Sequence, residues 1–130
     1  MRKFDNFCSS LENLKDIYDY SEPYTNVILI GLVALYEICF EQSWKAIKEI
    51  LEKQGFAEGS TGSPRQVLKT AFQAGMIHDE QLWLNALVTR DNVAHAYNKN
   101  IAFDIVQQTK DSYYEMFCQL RKEIEEKWLN

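Results

Sequence analysis

The sequence contains few residues that break helices or form tight turns. Its 130 residues include only 5 Gly and 2 Pro, whereas β-sandwiches, barrels and low-complexity linkers need many such residues. No segment alternates apolar and polar residues over the length of a strand. Hydrophobic residues make up 46% of the chain and charged residues 25%, a balance typical of a globular protein rather than a disordered one. The composition therefore predicts one domain over residues 1–130.

The chain also has few cysteines and no excess of positive charge. Cys8, Cys39 and Cys118 are far apart and form no CxxC pair, so we expect three reduced, buried thiols in a cytoplasmic protein. The sequence has 14 Lys and Arg against 19 Asp and Glu. This balance argues against non-specific binding to a polyanion as the main function, although it allows a local basic patch.

Long apolar runs and clusters of metal ligands are missing as well. The longest apolar run, residues 27–40, contains Glu37 and is shorter than the roughly 18–20 residues of a membrane span. We interpret it as a central buried helix and expect no membrane partner and no secretory signal. Neither His78 nor His95 has other ligands at metal-binding spacing, so no metal site and no cofactor is predicted.

Apolar residues at steps of three and four predict an all-α fold. A first stripe contains Phe4, Phe7, Leu11, Leu14 and Tyr18. A second helix is predicted from about residue 24 to 54, apolar all round in its first half and packed on several sides, with Gly55 at its end. Residues 55–62 are predicted to form a loop, followed by a short helix that begins after Ser63 and closes near Gly75.

Two more helices complete the predicted bundle. One has Asp79 as its N-cap, and the last runs from near Ile101 to Trp128. The predicted architecture is therefore an up-and-down four-helix bundle with an extra short helix.

The segment 90–98 is unusually polar for the end of an apolar helix. Arg90 and His95 are five residues apart and would point about 140° apart on a continuous helix, whereas Asp91 and His95 would share a face and could form a hydrogen bond. A site that uses both Arg90 and His95 therefore needs a helix break, for example near Asn92, or a second copy of the chain. The neutral alternative is a helix end that frays into a loop.

The residue types in this segment suit phosphate chemistry. A histidine accepts and returns a proton near neutral pH, and the planar arginine fork binds phosphate oxygens. Asp91 could orient the imidazole of His95 or hold Arg90 in place. Such a set suits metal-free cleavage of RNA by its own 2′-hydroxyl, and it equally suits binding of a nucleotide without cleavage.

The order Arg90, four residues, His95, one residue, Tyr97 resembles the RX4HXY motif of HEPN domains. The flanking segments 40–45, 63–65, 71–77 and 83–84 resemble the nucleotidyltransferase substrate-binding branch of that family. The resemblance implies a helical bundle that forms a two-fold dimer, with the motif near the dimer cleft. It also implies a minimal nucleotidyltransferase partner, as cognate antitoxin or as catalytic subunit, in a toxin–antitoxin pair.

The resemblance assigns roles to individual residues. It implies that Arg90 and His95 catalyse metal-independent RNA cleavage, with Asp91 in the polar position after the arginine. It further implies that Tyr97 accepts AMP from the nucleotidyltransferase. An older interpretation of this branch makes the chain a subunit that binds substrate for the nucleotidyltransferase.

The charge pattern suggests where RNA or a nucleotide would lie. Among the segments 1–60, 61–100 and 101–130, only the middle one is net positive, and we expect weak contacts from Arg65, Lys69, Asn92 and Lys99. Three hypotheses stay open: a ribonuclease, a non-catalytic nucleotide-binding or substrate-binding subunit, and a helical dimerisation module.

Overall fold

The computed structural model describes residues 2–56 and 62–129, and in these ranges it is all-helical, as predicted. The helices are α1 (Arg2–Leu14), α2 (Asn26–Lys53), α3 (Pro64–Gln73), α4 (Glu80–Asn92), α5 (Lys99–Gln108) and α6 (Tyr114–Lys127). Single 3-10 segments follow α1 (Lys15–Asp19) and α4 (Val93–His95), and a π-helical segment (Thr109–Tyr113) joins α5 to α6. Most of the predicted loop between α2 and α3, residues 57–61, lies outside the described residues.

Side-chain caps set the predicted helix starts. Ser63 accepts a hydrogen bond from the backbone N–H of Gln66 at 3.3 Å, and Asp79 accepts one from Leu82 at 3.0 Å. Each cap satisfies a backbone donor that has no partner within the helix. Gly55 (φ 87°) and Gly75 (φ 81°) follow α2 and α3 in the left-handed conformation, which glycine adopts without steric cost.

The core is built from aromatic side chains on α2, α4, α6 and α1. Phe40 packs on Trp83 with ring centroids 6.3 Å apart, and Trp83 meets Phe117 edge-on at 5.6 Å. Phe117 also contacts Phe7 at 6.2 Å. The buried hydroxyl of Tyr36 on α2 donates to the carbonyl oxygen of Ala86 on α4. These contacts fix α2 against α4, the helix that ends in the polar segment.

The first half of α2 is less buried than predicted. Val27 is 82% exposed, Ile38 52% and Ile30 41%, so the expectation of a helix packed on several sides is wrong for the chain by itself. By length and composition alone α2 could cross a membrane, with 39% of its most apolar stretch buried. A helix in the core of a helical bundle can be equally long and apolar.

Two further expectations need correction. Tyr18, predicted on the apolar stripe of the first helix, is 49% exposed and Ile17 is buried instead, because the chain tightens into the 3-10 segment after Leu14 and the spacing shifts. Of the three cysteines, all free, only Cys39 is buried, and Cys8 and Cys118 are half-buried.

The last predicted helix is interrupted by the π-helical segment, which the sequence pattern does not indicate. Thr109 donates from its hydroxyl to the carbonyl of Ile105 at 2.7 Å. The hydroxyl of Tyr113 lies 2.8 Å from that of Thr89 on α4 and donates to Gln108 at 2.9 Å. The segment thereby ties this end of the bundle to α4, at the residue that precedes Arg90.

Candidate functional site

Arg90 lies in the last turn of α4 and is surrounded by carboxylates. Its Nε is 2.9 Å from Glu41 Oε1 on α2, and its Nη1 is 3.4 Å from Asp91 Oδ1. The guanidinium carbon also lies 5.9 Å from the centroid of the Phe40 ring, within the range of a cation–π contact. With its side chain 27% exposed, Arg90 is held in place from two helices.

The contact between Arg90 and Glu41 is ionic rather than a well-aligned hydrogen bond. The Arg90 Nε is buried, and among the described residues no acceptor meets it in hydrogen-bond geometry despite the short distance to Glu41. Attraction between the two charges does not depend on the direction of the N–H bond, whereas a hydrogen bond does. One donor of the guanidinium therefore remains unsatisfied beside the motif.

Glu41 is a site residue that the sequence analysis did not identify. It occurs in the segment 40–45 that carries the family resemblance, but no role is assigned to it there. Trp44 Nε1 donates to Glu41 Oε2 at 3.1 Å, so one carboxylate joins Trp44 and Arg90. The pairing of α2 with α4 creates this contact, and no spacing within either helix indicates it.

The chain stays helical between Arg90 and His95 but changes from α-helical to 3-10 geometry, with Asn92, Val93 and Ala96 in the right-handed helical region. Helix α4 ends at Asn92, and Val93–His95 forms a 3-10 turn. The hydrogen bond that a continuous α-helix would allow between Asp91 and His95 is not among the contacts of the described residues, because α-helical spacing does not continue past Asn92. Two roles were considered for Asp91, orienting the imidazole of His95 or holding Arg90 in place. Its contact with Arg90 fits the second role.

His95 and Tyr97 both lie on the surface after the end of α4. The centroids of their rings are 6.3 Å apart with the planes at 70°, and Tyr97 is 83% exposed. Between them Ala96 is buried and anchors the turn. Asn98 then caps α5 by accepting hydrogen bonds from the N–H groups of Asn100 and Ile101. Within the described chain no hydrogen bond joins His95 to Arg90.

The residues expected to contact RNA are dispersed on helix surfaces. Arg65 lies in the first turn of α3 and is exposed, and Lys99 opens α5 and is exposed. Lys69 is paired with Glu80 across α3 and α4 at 3.8 Å. Asn92 is exposed at the end of α4. Of the predicted residues, the described contacts join Arg90 to Asp91, and the rings of His95 and Tyr97 lie near each other.

Two cavities outside the motif have none of the predicted site residues in their linings. A cavity of about 390 Å³ lies between the segment before α4 and α6, with Trp83 and Met116 in its lining. A second, of about 310 Å³, lies between α1 and α2 and is lined by Lys3, Trp44 and Lys48 among others. In the ranges 2–56 and 62–129, no three His, Cys, Asp or Glu side chains form a group that could hold a metal ion.

Comparison with protein families gives one match. Residues 2–126 match the family described as "nucleotidyltransferase substrate binding protein like". The match spans nearly the whole chain and includes α2, the motif and α6. No curated protein matches the chain.

Two solved structures share the fold. A protein from Thermus thermophilus, ttk003001694, superposes with a TM-score of 0.80 at 25% identity, over 91% of this chain and 98% of that one. HI0074 from Haemophilus influenzae superposes with a TM-score of 0.70 at 18% identity, over 95% of both chains. HI0074 is described as having the fold of a substrate-binding domain of a nucleotidyltransferase.

Proposed function

The chain belongs to the nucleotidyltransferase substrate binding protein like family, and on that basis we propose that it is the cytoplasmic partner of a minimal nucleotidyltransferase and cleaves RNA without a metal through Arg90 and His95. The observation that carries the proposal is the position of Arg90 in the last turn of α4, with His95 exposed at the end of the 3-10 turn that follows directly. The 3-10 turn changes the residue spacing after Asn92, and the imidazole of His95 lies in solvent beside Tyr97.

The proposed reaction needs one base and one cation. His95 takes the proton from a ribose 2′-hydroxyl, and the resulting 2′-oxygen attacks the adjacent phosphorus. The bond from phosphorus to the 5′-oxygen breaks, that oxygen takes a proton from water, and His95 releases the proton it accepted to solvent. The products are a 2′,3′-cyclic phosphate and a 5′-hydroxyl. Arg90 stabilises the negative charge that develops on the phosphate oxygens.

We further propose that two chains form the site as a two-fold dimer. Val27, Ile30 and Ile38 are exposed and apolar, and their spacing places them on one face of α2. Val88, on α4, is also 51% exposed. A second copy that covered these side chains would remove apolar surface from water. A two-fold axis there would bring Arg90 and His95 from two copies near one cleft.

Cleavage of a mixed pool of tRNA and single-stranded RNA in EDTA tests the proposal. The wild-type chain should produce cyclic-phosphate ends, and His95→Ala should lose about a hundredfold or more in rate, because it lacks the base. A tyrosine-to-phenylalanine change at Tyr97 should keep cleavage intact. If His95→Ala cleaves as fast as wild type while folding equally well, the assignment of His95 is wrong.

Transfer of AMP to Tyr97 is a separate part of the proposal. At 83% exposed its hydroxyl is open to a partner enzyme, whereas Tyr113 is 2% exposed. After incubation with the nucleotidyltransferase and ATP, mass spectrometry should find the adduct on Tyr97. An adduct on Tyr113 or Tyr114 alone would contradict this assignment.

The alternative is a non-catalytic subunit that binds a nucleotide or docks substrate for the nucleotidyltransferase. The neutralisation of Arg90 by Glu41 and Asp91 favours it, because a paired guanidinium is less available to a developing charge. This function predicts calorimetric binding of a nucleotide, alone or in the complex, and no RNA turnover. RNA turnover that depends on His95 would exclude it.

A further inference from the structure

A second feature next to the motif arises from the same face of α2 that carries Glu41. The cavity between α1 and α2 has a volume of about 310 Å³ and opens to solvent. We call it the lysine groove, and its lining consists of Lys3, Trp44, Lys45, Lys48, Glu49 and Glu52. None of the residues that the sequence assigned to RNA contacts is in this lining.

The groove adjoins the position of Arg90. Trp44 Nε1 donates to Glu41 Oε2, while the other oxygen of that carboxylate lies 2.9 Å from Arg90 Nε. Residues 41, 45 and 48 follow one face of a helix, at steps of four and three. They span about 10 Å along the axis at 1.5 Å per residue. An extended chain lying on Arg90 therefore reaches Lys45 and Lys48 without leaving this face.

The lining of the groove is net positive, whereas the whole chain is net negative. Three lysines line it against two glutamates, whereas the whole chain carries a net charge of −5. One of these glutamates, Glu49, accepts a hydrogen bond from the backbone N–H of Lys3 at 3.3 Å. Glu41, at the edge of the groove, has both carboxylate oxygens in contact with other groups. The lining therefore carries one net positive charge, and two of its three lysines, Lys45 and Lys48, lie on the face of α2 that leads to Glu41.

Trp44 supplies an aromatic ring, the second component of a site that binds a single strand. Its indole is half-buried against the core and lines the groove. Its N–H is used by Glu41, so what it can offer a ligand is the apolar surface of the ring. Proteins that bind single strands combine cationic side chains, which track the backbone, with aromatic rings, on which bases stack. The groove contains both within one lining.

We propose that the lysine groove binds the RNA strand adjacent to the cleaved phosphate, with Lys45 and Lys48 on backbone phosphates and Trp44 stacked on a base. This inference rests on the proposed ribonuclease function. It replaces the path through Arg65, Lys69 and Lys99, whose charges lie on α3 and α5 and, for Lys69, are paired with Glu80. It assigns binding to α2 and leaves the chemistry with the motif.

The test measures RNA affinity and cleavage on the same set of variants. A fluorescein-labelled single-stranded RNA is titrated in EDTA at several KCl concentrations, with His95→Ala in every chain so that binding is measured without cleavage. The variants are K45A/K48A in the groove, R65A/K69A on the rival path, and K15A/K122A as a control. Lys15, directly after α1, and Lys122, on α6, are exposed and are not part of the lining of the groove.

The groove pair should bind at least tenfold more weakly than its parent at low salt. Loss of two phosphate contacts should also lower the slope of log K against log salt by about 1.4, at roughly 0.7 per contact on a single strand. The control pair should match the parent in both quantities. Trp44→Ala should lose about tenfold in affinity and Trp44→Phe should retain most of it, because the phenyl ring still stacks.

The outcomes separate this inference from the function on which it rests. Suppose that chains with an intact His95 cleave RNA. If K45A/K48A then binds RNA as tightly as its parent and R65A/K69A binds it more weakly, the groove assignment is wrong and the ribonuclease function stands. If the wild-type chain neither binds nor cleaves RNA, both fall. Cross-linking of 4-thiouridine RNA gives a second readout, which should map to Trp44 or its neighbours. Cross-links confined to α3 would overturn the inference.

Discussion

At the scale of single residues, the contact between Glu41 and Arg90 decides how the motif presents its positive charge. Arg90 is close to two carboxylates and to the Phe40 ring. A free guanidinium on the surface would rotate among many conformers, at a cost in entropy when it binds phosphate. In this chain the contacts with Glu41, Asp91 and Phe40 already restrict the guanidinium in the folded state, so less entropy is lost when phosphate binds. An incoming phosphate must in turn compete with Glu41.

A double-mutant cycle on these two residues measures the contact. Glu41→Gln keeps an acceptor for Trp44 and removes the charge, and we expect it to lower the free energy of unfolding by about 1 kcal/mol. Arg90→Ala should cost about 1–2 kcal/mol. Because the two side chains are still 27% and 30% exposed, solvent screens the pair and the coupling should be near the lower end of the usual range, about 0.5–1 kcal/mol. Urea denaturation provides these energies.

The cycle has a clear negative outcome. If the double variant loses the sum of the two single losses, within about 0.3 kcal/mol, the ion pair contributes nothing to stability and Arg90 is held by Phe40 and Asp91. A second cycle, with Glu12→Gln and Arg121→Ala, serves as the comparison. This pair joins α1 to α6, with 2.8 Å between Arg121 Nη1 and Oε1 of the exposed Glu12 carboxylate. An exposed pair should couple more weakly than the one at the motif.

At the scale of elements, the connection between α3 and α4 is fixed to α6 through Glu123. His78 Nε2 lies 3.1 Å from Glu123 Oε1, and Trp128 Nε1 donates to Oε2 at 3.1 Å. Burial raises the pKa of Glu123, but the hydrogen bonds from His78 and Trp128 and the charge of Lys127 outweigh it. The pKa is therefore lower than usual for a glutamate. The ionised carboxylate is the form that the folded chain favours.

This lowered pKa predicts an acid-sensitive contribution to stability. A carboxyl group with a lower pKa in the folded state stabilises it above the unfolded pKa, and the gain disappears as the pH falls through the folded pKa. Glu123→Gln should therefore be less stable than wild type at pH 7, with a difference that shrinks below about pH 4.5. Glu126→Gln, at an exposed position, is the matched control. A difference that stays constant from pH 7 to pH 3 would contradict the prediction.

The 3-10 turn after α4 is the other element that bears on function. A helix that continued through His95 would place Asp91 and His95 on one face, and the neutral alternative is a frayed end. Instead, Ala96 is buried and Asn98 caps α5, so the turn is defined by contacts at both of its ends. The exposed ring of Tyr97 lies between these two anchors. Access to Tyr97 is therefore built into the connection between α4 and α5.

At the scale of the whole molecule, the exposed apolar face of α2 points to self-association. Ile38→Glu should convert a dimer of twice 15.2 kDa into a monomer in light scattering after gel filtration, without loss of helix content, because the charge would be buried at the interface. Phe72→Glu, an exposed apolar position on α3, should leave the mass unchanged. A monomeric wild type, or a dimer that survives Ile38→Glu and Val27→Glu alike, would exclude this face as the interface.

A dimer also has a consequence for activity. If Arg90 and His95 come from different chains, mixing Arg90→Ala chains with His95→Ala chains should restore intact sites after exchange, up to about a quarter of the total, because one site of each mixed dimer receives both native residues. Rates of RNA cleavage before and after mixing measure this. Unchanged, near-zero rates in a mixture shown to exchange subunits would mean that one chain supplies both groups.

Local signals in the sequence specify the helices and their caps. Apolar spacing, Ser63 before Pro64, Asp79 before α4, and glycines at 55 and 75 are local signals, and local hydrogen bonds and steric limits act on them directly. The resemblance carried by Arg90, His95 and Tyr97 also led to the family that the whole-chain match shows. Both kinds of information lie within short stretches of chain.

The tertiary structure alone decided which side chains meet. Glu41 and Arg90 are far apart in the sequence, and only the packing of α2 on α4 through Tyr36, Ala86 and Phe40 brings them within 2.9 Å. The same packing leaves Val27 and Ile38 uncovered, although their apolar character predicted burial. Spacing along a helix fixes which residues share a face, but not which partner that face receives, because long-range contacts depend on how all the helices fill one core.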